Sequence, residues 1–338
     1  MTEQQPQIRT LKDLAKLADV STGTVSRALA NSELISKKTR MHIQDLARQH
    51  GFRPNITARN LRTQRTGAIG VTIPLGHEKG QHISDPFFIT MLGFLADAIT
   101  ERGYDLMLSR VIPADSGWLD KIVDSGRIDG LIVIGQSDQP EALDTVAGRY
   151  RPMVVWGGYE KSQRHCSVGS DNFKGGHLAV EHLIERGCER IAFLGDPSVR
   201  ELSQRYDGCR AAMAKAGLEK NLTVVPAHLV AETAVPDISA FLSSAREKPQ
   251  GIFAVSDVIA MSALRALSDY GLAVPEDVKV VGFDNLSLAE HTVPRLTTVR
   301  QDLRAGAAHL VDLLLRRIAG EDTDNIVMDP ELIVRMST

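Results

Sequence analysis

From Gly67 onward, short apolar runs alternate with longer amphipathic segments, and this alternation limits the possible folds more than any other feature of the chain. The apolar runs are Ala68–Pro74, Asp105–Ser109, Gly130–Ile134, Met153–Trp156, Arg190–Leu194, Gly251–Val255 and Val278–Phe283. Among the segments between them, Phe87–Arg102, Phe173–Arg186, Arg205–Ala216 and Val258–Tyr270 carry apolar residues at helical spacing. Such alternation is satisfied by parallel sheets with helices on both faces. The roughly 270 residues involved exceed one ordinary layer of this kind, so two α/β lobes are expected.

The first 66 residues follow other rules and read as a small all-α head. Thr10 to Asp13 forms a capping box ahead of Leu14, Ala15, Leu17 and Ala18 at helical spacing. Ser21 can cap a second helix whose inner face is Val25, Ala28 and Leu29. Ser36 can cap a third, through Ile43, Leu46 and Ala47 to a stop at Gly51. Only Asp19 and Val20 separate the first two helices, which forces a sharp crossing of the helix-turn-helix type. Pro54 can open a short fourth helix running to Arg62, followed by a polar linker to Thr66. Charge divides at the same place. Residues 1–66 hold 12 Lys/Arg against 5 Asp/Glu, while the remainder carries a net charge of −10. A basic head on an acidic body fits a chain that meets a polyanion with its head alone.

The stretches DLAKLADVSTGTVSRAL, ISKKTR and GFRPNITARNLR, in this order and spacing, resemble the lactose-repressor (LacI/GalR) family, and the resemblance runs through essentially the whole chain. It implies a double-stranded DNA operator as partner. With the second helix in the major groove, its N-terminal residues meet base edges, which makes Thr22, Gly23 and Arg27 the reading candidates. Arg27 can bond guanine in bidentate fashion; Gly23 has no side chain where relatives often place a specifying residue. Ser21, Thr24, Ser26, Lys37, Lys38, Thr39 and Arg40 suit phosphate contacts, which position without specifying. Asp19 stands where relatives commonly have Gly, and it tolerates a left-handed turn at modest cost. Within 54–62 the resemblance implies a hinge helix that pairs with its twin in the minor groove. Leu61 would wedge between base steps, Ala58 would permit close helix approach, and Asn55, Arg59 and Arg62 would face the backbone.

For the body the resemblance implies a periplasmic-binding-protein-like core of two lobes joined by three crossovers, with a small-molecule effector in the cleft. The expected divisions are 1–53 for the head, 54–66 for hinge and linker, and 67–338 for the core. Lobe one takes about 67–168 and 299–328, and lobe two about 169–298 and 329–338. Ligands of open parallel sheets sit beyond the carboxyl ends of the strands. Those ends supply Ser84, Asp85, Phe87, Trp156, Ser256, Asp257 and Asp284, with Arg205 matching the family's effector-binding arginine. An Arg–Asp pair beside aromatic faces suits a polyhydroxylated ring, so a sugar is the expected effector; a purine would use similar parts. Asp171 and Asn172 are read as hinge structure.

Other classes find less support. The sequence has no Walker loop, HExxH or G-x-S-x-G, and neither catalytic residue, metal nor cofactor is expected. Cys166, Cys188 and Cys209 lack CxxC spacing and suit reduced structural thiols. A sugar-binding protein without DNA function would share the core but not the basic head. The N-terminus lacks an apolar signal core and no run spans a bilayer, so a cytoplasmic protein is expected. No leucine heptad follows the core, which favours a homodimer.

Overall fold

The computed structural model describes residue 8 and residues 10–52, 65–76, 80–136 and 138–338, without the side chains of Ala231 and Glu232. The chain divides into two compact units, Met1–Arg65 and Thr66–Thr338.

The head is built from α1 (Leu11–Leu17), α2 (Thr22–Leu29) and α3 (Lys37–Gln49). The capping box forms in full: the Thr10 hydroxyl accepts from the Asp13 amide at 3.2 Å, and the Thr10 amide donates to Asp13 at 3.0 Å. Asp19 sits in the turn with φ of +50°, as an acidic residue in place of glycine must. Leu14, Ala15, Val25, Ala28, Ile43, Ala47 and Phe52 bury one common core. The hinge expected at 54–62 lies outside the described residues.

The second unit holds two six-stranded sheets. Sheet one contains β1 (Ala68–Pro74), β2 (Asp105–Val111), β3 (Gly130–Ile134), β4 (Met153–Trp156) and β5 (Cys166–Ser170). Helices α4 (Pro86–Glu101), α5 (Trp118–Val123) and α6 (Pro140–Ala147) connect its strands. Sheet two contains β6 (Ile191–Leu194), β7 (Leu222–Val225), β8 (Gly251–Ala254), β9 (Lys279–Asp284) and β10 (Thr297–Arg300). Its helices are α7 (Asn172–Glu185), α8 (Arg200–Lys215), α9 (Ala231–Ser244) and α10 (Asp257–Asp269). The chain then returns to lobe one through α11 (Leu303–Ile318) and β11 (Ile326–Met328), and ends in lobe two with β12 (Glu331–Ile333).

Strand order is β11-β5-β4-β3-β1-β2 in sheet one and β12-β10-β9-β8-β6-β7 in sheet two. All pairs are parallel except β10 with β12. The chain therefore passes between lobes after Ser170, after Arg300 and after Met328. The first two passages fall two residues beyond the expected 168 and 298. Each sheet is buried on both faces, which explains why its inner strands read as unbroken apolar runs. Cys166, Cys188 and Cys209 are free and buried. Among the described residues no helix is long and apolar enough to cross a membrane.

Candidate DNA-reading head and effector cleft

The start of α2 is held open to solvent by its own cap. The Ser21 hydroxyl accepts the Thr24 amide at 3.1 Å and lies 2.9 Å from the Thr24 hydroxyl. Thr22, Gly23 and Arg27 are exposed there, and Arg27 makes no ion pair among the described residues. Ser36 caps α3 in the same way, accepting the Thr39 amide at 3.2 Å, and leaves Lys37 and Lys38 exposed. Arg40 is half-buried and donates to the carbonyls of Asn31 and Ser32 at 3.4 and 3.2 Å, so it braces the loop ahead of α3. Ser26 is half-buried. Asn55, Ala58, Arg59, Leu61 and Arg62 lie outside the described residues.

In the core, a cleft enclosing about 750 Å³, part of it open to solvent, lies between the lobes. Asp85, Phe87, Trp156, Arg205, Ser256 and Asp284 all line it. The two remaining expected residues do not. Ser84 is exposed, one position ahead of the residue that caps α4. Asp257 is fully buried beneath the cleft, where it accepts from the Leu286 amide at 2.7 Å and the Thr298 hydroxyl at 2.5 Å. Its role is to join the turn after β9 to β10, and Ser256, not Asp257, caps α10.

Arg205 reaches the cleft because two helices touch backbone to backbone. A Cβ on Gly176 would stand 2.0 Å from the Arg205 carbonyl oxygen, and one on Gly208 equally close to that of Phe173. That approach brings Arg205 Nε within 2.8 Å of Asn172 Oδ1, while Nη1 donates to the Val255 carbonyl and the guanidinium lies 3.7 Å over the Phe283 ring. Asn172 is therefore more than hinge structure: it orients the arginine. Burial pulls the Arg205 pKa down, opposed by the charges of Asp284 and Glu201. Nη2 has no partner among the described residues. Asp284 accepts from Gln301 Nε2 at 2.7 Å, and its backbone holds a φ of +115° with Asn285 at +53°. Non-glycine residues rarely occupy such angles, and they collect where a site needs a particular orientation. Burial pushes the Asp284 carboxyl up to about 7, against the nearby Arg205 guanidinium and the Gln301 bond.

Two features depart from the expected aromatic platform. Trp156 is almost wholly buried, and its ring packs where a Cβ on Gly306 would come within 2.3 Å, so it serves chiefly as the seat of α11. Phe87 is half-buried and stands edge-on to Phe88, with ring centroids 5.6 Å apart. Apolar lining comes also from Val199, Leu202, Leu229, Val255 and Val258.

Sequence reasoning missed Gln81, Gln136, Glu201 and Gln301, all of which line the cleft. Gln136 and Glu201 belong to a set of contacts between the lobes. Gln136, held by its bond to the Gly158 carbonyl of its own lobe at 2.6 Å, accepts from Arg200 of lobe two at 2.8 Å. Arg200 also pairs with Glu160 at 3.0 Å, and Glu201 accepts the Gly158 amide at 3.2 Å. The neighbouring His165 turns its Nδ1 to Asp144 at 2.7 Å, and no cluster of three metal-ligating side chains exists among the described residues.

Comparison with known proteins bears on both units. A family profile described as bacterial regulatory proteins, lacI family, matches residues 10–55, and one described as a periplasmic binding protein-like domain matches 180–338. The transcriptional repressor PurR of Actinobacillus pleuropneumoniae is 31% identical over 97% of this chain and 98% of its own length. The chain belongs to the lacI family of bacterial regulatory proteins. It is a DNA-binding transcriptional regulator and not an enzyme. Another lacI-family relative, the regulator CelR of Thermobifida fusca, is also 31% identical over 97% of this chain and 98% of its own. A solved CelR–cellobiose complex superposes with a TM-score of 0.70 at 29% identity, covering 98% of this chain and all of that one. The lac repressor dimer bound to operator and the anti-inducer ONPF shares the fold, with a TM-score of 0.81 at 24% identity over 97% and 98% of the two chains.

Proposed function

We propose that this lacI-family regulator is a homodimeric repressor that binds a palindromic operator and is controlled by a small effector, a sugar, held in the cleft. The observation that carries the effector reading is Arg205: buried, fixed by Asn172 and Val255, and left with one uncommitted amino group beside Asp284. Such a pair offers donor and acceptor to adjacent hydroxyls, while Phe87 and the aliphatic wall cover the apolar face of a ring. That CelR is solved with cellobiose supports the sugar.

In the head, Thr22, Gly23 and Arg27 read bases, and Lys37, Lys38 and the hydroxyls of Ser21, Thr24 and Thr39 meet phosphate, with Ser26 and Arg40 behind them. Contact by Asn55, Ala58, Arg59, Leu61 and Arg62 is proposed from sequence alone. For the homodimer, β2 ends its sheet with Leu108 exposed, and Ile112 just beyond it and Ile89 on α4 are exposed as well. Bare apolar edge strands of this kind are ordinarily covered. A purine is the rival effector, since Phe87 and the same polar groups would suit a flat base. Anisotropy titrations of the full chain on its own promoter DNA, with sugar and purine panels, decide between them. A sugar should shift operator affinity and purines should not; the reverse would replace the sugar by a purine.

A further inference from the structure

The hydrogen-bonding character of the cleft says more about the effector than its class. Gln81 lines the cleft from lobe one and is only 5% exposed. Its Nε2 donates to Asp85 at 3.1 Å, and its backbone carbonyl accepts from Arg110 at 3.3 Å, so both the side-chain amide and the backbone of this residue are held. Its Oε1 has no hydrogen-bond partner among the described residues. A buried acceptor left unpaired costs about 1–3 kcal/mol, so this atom marks a place where something must donate.

The surrounding charges point the same way. Asp85, Glu201 and Asp284 face the cleft with one guanidinium, Arg205, among them. Arg205 already feels the charges of Asp284 and Glu201. Arg200, nearby, is taken up by Glu160. The Asp85 and Asp284 carboxyls, on opposite lobes, repel each other enough for Asp85 to raise Asp284 further. An anionic ligand would add to that repulsion in a water-poor site, where like charges are costly.

Building on the sugar reading, we infer that the effector carries no negative charge and donates hydrogen bonds to both walls, to Gln81 and Asp85 on lobe one and to Asp284 on lobe two. Neutral polyols and amino sugars meet this requirement; uronates, sugar phosphates and nucleotides do not.

The test is calorimetric titration of the full chain with matched sets of compounds. Pentoses, hexoses and disaccharides are each supplied as neutral, amino and uronic or phosphorylated forms, beside neutral purines, nucleotides, and non-sugar amines and carboxylates. A neutral or amino form should bind at least about tenfold more tightly than its anionic partner, the equivalent of one charge-assisted hydrogen bond. Tightest binding by any anion overturns the inference. If a neutral purine or a non-sugar amine binds best, the sugar reading fails while this inference stands. A panel in which nothing binds counts against both. Gln81→Leu supplies the second arm. It should weaken binding about tenfold while changing the unliganded Tm little, because the lost bond to Asp85 is offset by removal of an unpaired buried acceptor. A fall in Tm with affinity intact would make Gln81 a structural residue and overturn its part.

Discussion

Asp284 lines the cleft and Asp257 is buried beneath it, and the two do different work. Asp257 is wholly buried with both oxygens engaged, and burial with the Asp284 charge drives its pKa far up. Asp257→Ala should therefore lower unfolding free energy by about 2–4 kcal/mol, read by denaturant titration, because it strands the Leu286 amide and the Thr298 hydroxyl and opens a void. Asp284, raised to about 7, binds a proton in the folded state over a range where the unfolded chain, near the ordinary 3.8, has lost it. Its contribution is thus fully present below about pH 4 and is lost as pH rises through 7. Asp284→Asn, whose amide oxygen can still accept from Gln301, should be more stable relative to the parent at pH 8 than at pH 5, measured by melting at both. Equal differences at the two pH values would place the Asp284 pKa elsewhere.

At the scale of elements, we propose that α2 reads DNA and that the α7–α8 pair positions the effector-binding arginine. If α2 reads bases, Arg27→Ala costs about 1–3 kcal/mol of discrimination at one operator position, measured on a set of single-base operator variants. Lys37→Ala should weaken all sequences alike and reduce the salt slope by about one. The α7–α8 contact is equally specific. Gly176→Val puts side-chain carbons onto the Arg205 backbone, so the helices must separate. Effector affinity should fall even if the protein stays folded. These elements differ in how plainly the sequence announces them. Thr10, Ser21 and Ser36 are local signals, and a cap three residues from its partner amide needs no tertiary context. The long buried strands were legible for the same reason. Five strands were not: β5 and β10 mix polar residues into their runs, β7 is only partly buried, and β11 and β12 have three residues each. Gln81, Gln136 and Gln301 escaped notice because a glutamine brought from a distant loop leaves no period or spacing. Trp156 misled in the opposite sense, since a strand-end tryptophan reads as a platform until Gly306 is seen beneath it.

At the scale of the molecule, the account requires that the cleft and the head share one equilibrium. The lobes touch through Arg200 with Gln136 and Glu160, and through Glu201 with Gly158, and Gln136 and Glu201 also line the cleft. An effector that alters how these lobes meet can bias the DNA-binding state, and thermodynamics then demands reciprocity. The most direct measurement is a pair of titrations on the full chain: operator affinity with and without saturating effector, and effector affinity with and without saturating operator. The two ratios should be equal, about 5- to 150-fold, and should collapse toward one in Arg205→Ala at effector concentrations that saturate the parent. An effector that binds the cleft and leaves operator affinity unchanged would contradict the account.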